Sequence, residues 1–177
     1  MSELAIHEAG HAIMFDALGV PIEFVTITAG CFGENASLEG CVKLENDCTP
    51  DTLVIPGTLA GPGASFYIAG VPPNLDAVLA YRSDQITLRT IHKNQKDAGT
   101  YDVFWARLNQ FLNSWLRTWL IQNRSVILRL ARRLEETGTL RAVELRQALE
   151  LAWDSSKPDI HAVRSDMLTA LTQALNS

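Results

Sequence analysis

Two histidines and a glutamate near the start of the chain have the types and the spacing that zinc-dependent hydrolysis requires. His7, Glu8 and His11 form the pattern H-E-x-x-H within the run from Leu4 to Leu18, which has a helical pattern. Because four residues are a little over one helical turn, both histidines project from one face and can bind one zinc ion. Glu8 is rotated by about 100° from His7, so its carboxylate can take a proton from a zinc-activated water. The competing interpretation is a surface helix with scattered His and Glu residues.

The flanking sequence predicts the elements that position this motif. Ser2 can cap the first helix and Gly19 can end it. Side-chain types in the segments 22–28 and 40–45 alternate along the sequence, which predicts two strands. Another helix is expected to begin at Ser83-Asp84. From Tyr101 onward the chain is predicted to be mostly helical. One helix in that half is predicted to end at Gly138. A second is predicted from Ala142 to Trp153, and a last one from Ile160 to Leu175.

One segment is uncharged for long enough to span a bilayer. It extends from Thr52 to Leu75 and includes Pro56, Gly57, Gly61, Pro62, Gly63 and Gly70. A spanning helix of this composition needs neighbouring helices to satisfy its backbone. We therefore expect a buried segment behind the active site and no membrane span in this chain. Pro56 and Pro62 are predicted to interrupt or kink its helix.

Composition narrows the class of protein. With 177 residues, of which 47% are hydrophobic, the chain is expected to form one domain or one domain with a small appendage. The net charge of −5 argues against nucleic-acid binding, which needs a basic patch. No basic and apolar leader precedes the metal helix, and Cys31, Cys41 and Cys48 lack C-x-x-C spacing. These features predict a cytoplasmic protein with reduced thiols.

The motif and its surroundings resemble the peptidase domain of the FtsH-type zinc metalloproteases. Residues 5–13 read AIHEAGHAI, and the family motif is H-E-A-G-H-A, followed by a short loop and a strand. The C-terminal half is similar to the family's closing helices at Asn123-Arg124, Leu128, Leu130-Ala131, Leu134-Glu135, Thr139-Leu140 and Glu144-Leu145. The resemblance covers roughly residues 3–148. It implies a mainly α-helical fold with a small β-sheet (α+β), in which residues 1–150 form the peptidase domain and residues 151–177 a helical extension of it.

The resemblance also implies the third zinc ligand. The family uses an aspartate at the start of a helix, after a small-residue helix and a loop. Leu59-Ala60-Gly61 corresponds to the small-residue helix and Ser83-Asp84 to the helix start, so we expect Asp84 to join His7 and His11. The alternatives are Asp76, which is the main competitor, His92 and His161. The chain departs from the family pattern at Ser65-Phe66, where acidic residues are usual, and at Thr87-Leu88, where Ala-Thr is usual.

The function implied by the resemblance is zinc-dependent cleavage of peptides or unfolded proteins. A strand over residues 38–44 is expected to hold the substrate as an added strand. FtsH-type enzymes carry an ATPase module, but the sequence has no G-x-x-x-x-G-K-[ST] pattern, so cleavage by this chain alone should not need ATP. The missing ATPase module is compatible with a separate ATPase partner, with a homo-oligomer of this chain, or with a longer parent protein. The alternatives are a non-catalytic, zinc-stabilised interaction module and a regulatory protease with one protein target.

Overall fold

The fold is mainly helical and contains one small antiparallel sheet, which confirms the predicted α+β class. The computed structural model describes residues 1–29, 40–46, 48–70, 82–94 and 99–177. The elements are α1 (Glu3–Ala17), β1 (Ile22–Thr26), β2 (Cys41–Leu44), α2 (Asp51–Tyr67), α3 (Arg82–Asn94), α4 (Tyr101–Phe111), a π-helix (Leu112–Leu116), α5 (Arg117–Gln122), α6 (Arg124–Thr137), β3 (Thr139–Arg141), α7 (Ala142–Trp153) and α8 (Ile160–Leu175).

Helix α1 lies at the centre of the core. It begins where predicted, because the side chain of Ser2 accepts a hydrogen bond from the backbone N–H of Ala5. It ends before Gly19, whose φ of +63° favours glycine. Every residue from Ala5 to Phe15 is buried, and the helix packs against both α2 and α6. His7, Glu8 and His11 are therefore enclosed by the protein, and the alternative of a surface helix is wrong.

Helix α2 continues through Pro56 and Pro62, so the predicted interruption does not occur. Each proline lacks the N–H that would bond to the carbonyl one turn earlier, which weakens the helix locally. Close packing on α1 supplies the compensating contacts. A Cβ atom on Gly10 would lie only 2.6 Å from the carbonyl oxygen of Ala60. Glycine in the middle of α1 thus lets the two helix backbones meet, which explains a residue that otherwise costs about 1 kcal/mol of helix stability.

The sheet lies beside α1 and has the order β2-β1-β3, with both pairings antiparallel. Strands β1 and β2 lie within the segments predicted from alternation. In the described part of the chain β2 is an edge strand that pairs with β1 alone. The candidate substrate strand, residues 38–44, coincides with β2 from residue 41 onward, while residues 38 and 39 lie outside the described residues.

The segment beyond the resemblance packs against the C-terminal end of α1. The indole N–H of Trp153 donates to Asp16 at 2.7 Å, and the ammonium of Lys157 lies 2.8 Å from the same carboxylate. The guanidinium of Arg164 donates to the carbonyl of Leu18 at 2.6 Å. Helix α8 also buries Val163, Met167, Leu171 and Ala174 in the common core. The predicted boundary between the peptidase domain (residues 1–150) and its extension (residues 151–177) falls within α7. This division stays a prediction.

Two further expectations concern membranes and thiols. Among the helices in the described ranges, none combines the length and the apolar character that crossing a bilayer requires. Of the cysteines that the structure describes, Cys41 and Cys48 are both free thiols, as expected. Cys31 lies outside the described residues. The cytoplasmic location stays a prediction.

Candidate metal centre

Three buried side chains from two helices bring their ligand atoms together. His7 and His11 belong to α1, and Asp84 lies in the first turn of α3. Oδ2 of Asp84 lies 3.1 Å from Nε2 of His7 and 3.4 Å from Nε2 of His11, and the two Nε2 atoms are 2.9 Å apart. All three ligand atoms lie within 4.8 Å of one another. This group could bind a metal ion.

Helix α2 orients both imidazole rings through their Nδ1 atoms. Nδ1 of His11 lies 2.8 Å from the carbonyl oxygen of Gly57. A carbonyl can only accept, so Nδ1 carries a proton and the neutral ring has its lone pair on Nε2, toward Asp84. Nδ1 of His7 lies 3.3 Å from the hydroxyl of Ser65, which can play the same role. Metal-binding histidines commonly have their other nitrogen held in this way.

Glycines in α2 provide the space that His11 and its neighbour occupy. A Cβ atom on Gly61 would lie 2.2 Å from Nε2 of His11, and one on Gly57 would lie 2.0 Å from a ring carbon of Phe15. These glycines are four residues apart and therefore share one face of α2. The absence of side chains on that face allows the ring of His11 to lie directly against the helix.

The carboxylate of Glu8 borders a cavity of about 210 Å³ that His11 and Asp84 also line. Its Oε2 atom is buried and has no hydrogen-bond partner in the described part of the chain. The backbone of Gly40 passes close to Oε1, since a Cβ atom there would lie 2.6 Å from it. The other lining residues are Phe15, Cys41, Val42, Leu44, Val54, Thr58 and Thr87. A carboxylate with one free oxygen thus adjoins the candidate ligands in a largely apolar cavity.

Burial and mutual attraction set the charges of the three candidate ligands. Burial lowers the pKa of His7 to about 4, so this ring is neutral at pH 7. Burial also acts to lower the pKa of His11, but the nearby Asp84 carboxylate outweighs it and raises the pKa to about 9. Burial favours the neutral acid at Asp84, yet His11 and His7 hold its pKa well below the usual range. These directions favour an ionised Asp84 paired with a protonated His11, beside a neutral His7.

The neighbouring groups remain protonated to higher pH than usual. Burial raises the pKa of Glu8 to about 8, although the charge on His11 opposes this. The pKa of Cys41 is raised to about 11, mainly by burial and to a smaller extent by the carboxylates of Glu8 and Asp84. Glu8 can therefore gain or lose a proton near neutral pH, as a general base must, whereas the Cys41 thiol stays protonated.

The structure brings the four predicted site residues to one place and separates them from two of the alternatives. His7, Glu8, His11 and Asp84 are all buried around the cavity and the ligand group. His92 instead contacts aromatic rings of α4 and lies 3.0 Å from a backbone carbonyl. His161 is exposed on α8. The remaining competitor, Asp76, lies outside the described residues.

Two contacts to the imidazole rings were not predicted. The Gly57 carbonyl has no sequence signature, because every residue carries one. Ser65 did offer a signal, since it stands where the family usually has an acidic residue, and its hydroxyl faces Nδ1 of His7. The spacing of Gly57 and Gly61 was a second signal, because paired glycines on one helix face indicate a close neighbour.

Comparisons with known proteins do not identify a family. A scan against protein-family models finds no match, and a search of curated proteins finds no significant similarity. The similarity to FtsH-type peptidases therefore rests on the quoted residues and stays an interpretation of the sequence.

Proposed function

We propose that this chain is a zinc-dependent endopeptidase that cleaves peptides or unfolded proteins. The observation that carries the proposal is one arrangement among the described residues. Three buried candidate ligands come together, and two of them, His11 and Asp84, line a cavity that Glu8 also lines. Structural zinc sites use four protein ligands and are closed, whereas catalytic sites use three and keep one position open. A three-residue group next to a cavity fits the catalytic class, and a structural site has no need of the neighbouring carboxylate.

The donor set suits zinc. Two imidazole nitrogens and one carboxylate oxygen are ligand types that zinc accepts. The contact with the Gly57 carbonyl supports the tautomer that leaves Nε2 of His11 available, and the Ser65 hydroxyl can accept from Nδ1 of His7 in the corresponding tautomer of that ring. The free Oε2 of Glu8 is a further buried polar atom that water in such a site would satisfy. When bound, zinc would supply a Lewis acid that acidifies water and polarises a carbonyl group.

Glu8 is the proposed proton carrier. Its free Oε2 accepts a proton from the attacking water as the oxygen adds to the peptide carbonyl. The same oxygen then donates that proton to the leaving nitrogen, so that the C–N bond breaks to give a carboxylic acid product and an amine. Burial acts to raise the pKa of Glu8, which helps the carboxyl group to hold the proton between the two transfers even when a bound cation lowers that pKa.

Strand β2 is the proposed binding edge for the substrate backbone. Cys41, Val42 and Leu44 of this strand line the cavity beside Glu8. An extended peptide that pairs with β2 would make backbone hydrogen bonds, which tolerate many sequences. Because the sequence has no phosphate-binding loop, we propose that cleavage of unfolded substrates is indifferent to ATP. A partner ATPase or self-assembly would extend the range to folded substrates.

Replacing Asp84 by alanine is expected to remove the metal. The native protein should contain about one zinc ion per chain, and Asp84→Ala should lose most of it because two histidines alone bind zinc weakly. Elemental analysis after dialysis measures the content, and Asp76→Ala is the matched comparison. Loss of zinc from Asp76→Ala together with retention by Asp84→Ala would show that the third ligand is wrong. A zinc-loaded native protein that cleaves neither casein nor a peptide pool would support the interaction-module alternative.

Zinc binding is expected to release protons, because the metal competes with them for the site. At pH 7 His11, with its pKa near 9, must lose one proton, and a nearby cation lowers the raised pKa of Glu8 so that a second leaves. We expect release of about two protons from the native chain and about one from Glu8→Gln. Calorimetric titration in two buffers of different ionisation enthalpy measures the number. Equal release by both proteins would contradict a protonated Glu8 in the metal-free site.

A further inference from the structure

A second cavity, which we call the arginine groove, lies between α6 and α7. Its volume is about 440 Å³. Its lining residues are Arg129, Arg132, Arg133 and Glu136 on α6, and Glu144, Gln147, Ala148, Leu151 and Ala152 on α7. It shares no lining residue with the cavity at the candidate metal centre. It is therefore a surface that the proposed peptidase chemistry does not use.

The arginines in the groove have unused hydrogen-bonding capacity. Arg129 donates through Nε to the carbonyl of Ala152 at 2.7 Å, which fixes the guanidinium and leaves its terminal nitrogens free of any carboxylate among the described residues. Arg132 likewise has no ion pair within the described ranges. Arg133 lies 3.1 Å from Glu136, but both side chains are more than half exposed, so water screens this pair. Three guanidinium groups thus line the groove against two carboxylates, those of Glu136 and Glu144, so the groove has a small excess of positive charge in a chain whose net charge is −5.

The same groove contains an exposed leucine. The Leu151 side chain is 76% exposed, the largest value among the bulky hydrophobic residues that the structure describes. Next to it, Ala148 and Ala152 are buried and form the floor between the helices. Exposed apolar side chains beside arginines are typical of protein-binding surfaces, since arginine is enriched at the centres of interfaces.

We propose that the arginine groove binds an acidic amphipathic helix of a partner protein. A channel between two helices accommodates a third helix, whose apolar face would cover Leu151. Arg129 and Arg132 are three residues apart, about one helical turn, and neither has an ion pair among the described residues, so they match two carboxylates about one turn apart on the partner. Glu136 and Glu144 within the groove disfavour a polyanion such as nucleic acid, and they repel a helix that is acidic on every face.

A designed peptide tests the proposal. The probe is a fluorescein-labelled amphipathic helix of about 15 residues, with glutamates one turn apart beside leucines; its control carries lysines at the glutamate positions. Fluorescence polarisation with the full zinc-loaded chain should show saturable binding of the glutamate peptide alone. Arg132→Glu and Leu151→Ser should each weaken binding about tenfold or more. Arg124→Glu, which makes the same charge change on α6 outside the groove, should weaken it less than about twofold.

Several outcomes would overturn the proposal. These are an absence of saturable binding, equal binding of the lysine peptide, and equal losses in Arg132→Glu and Arg124→Glu. A dimer of the native chain that Arg132→Glu dissociates, seen by light scattering, would show that a second copy fills the groove instead of a partner. The zinc content and circular dichroism of each variant should be unchanged, because the substituted side chains are exposed. Because the groove shares no lining residue with the cavity at the candidate metal centre, peptide binding here does not depend on whether the chain is a peptidase.

Discussion

Glu8→Gln is expected to lower the rate of peptide cleavage by about 100- to 10,000-fold while the zinc content remains that of the native protein. Glutamine keeps the size of the side chain but cannot take a proton from water at the position of Oε2. Since Glu8 is not one of the three candidate ligands, the metal should stay in place. Cleavage of a quenched fluorescent peptide measures the rate, and elemental analysis of the same sample measures the zinc.

The stability of this variant separates a chemical effect from a folding effect. Burial disfavours the charged form of Glu8 and raises its pKa to about 8, so a neutral amide of the same shape should be tolerated. We expect the melting temperature of Glu8→Gln to equal or exceed that of the native protein. Glu23→Gln, an exposed change on β1, is the matched control and should leave the cleavage rate unchanged. Cleavage by Glu8→Gln at the native rate would eliminate Glu8 as the general base.

The parts of the fold that could be predicted are those whose causes are local. The ends of α1 follow from a capping serine at Ser2 and a glycine with positive φ at Gly19, and both residues act within one turn of the helix end. The alternation in residues 22–28 and 40–45 was sufficient to predict β1 and β2, although burial in β1 does not alternate, because Phe24, Val25 and Thr26 are all buried. The facing positions of His7 and His11 follow from helical geometry alone.

The parts that could not be predicted depend on contacts distant in sequence. Pro56 and Pro62 argued for an interrupted or kinked helix, but α2 runs without interruption through both residues, packed against α1. The Gly57 carbonyl orients His11 across a separation of 46 residues, and nothing near either residue signals it. The position of Asp84 beside the histidines was expected from resemblance and not from spacing, because a loop of unknown path precedes it. The arginine groove depends on how two helices pack together, and their sequences alone show only scattered charges.

Gly61→Ala is expected to weaken zinc binding about 100-fold and to destabilise the protein, although alanine favours a helix. The added Cβ would lie 2.2 Å from Nε2 of His11, so the ring must move away from the other ligands or α2 must move away from α1. The gain in helix propensity is about 1 kcal/mol, while overpacking of a tight core costs about 1–3 kcal/mol. The steric cost should therefore prevail. Urea denaturation measures the free energy of unfolding, and competition with a chelating dye measures the zinc affinity.

Gly63→Ala is the matched control, because it lies in the same helix and gains the same propensity. Its Cβ would meet the terminal methyl groups of Leu120 at 2.7 Å and Leu112 at 3.1 Å, which can rotate aside at little cost. We expect this variant to bind zinc as tightly as the native protein. A general weakening of α2 would reduce zinc affinity in both variants alike, whereas loss in Gly61→Ala alone requires the contact with His11. Native zinc affinity in Gly61→Ala would mean that His11 does not ligate the metal from the position it occupies against α2.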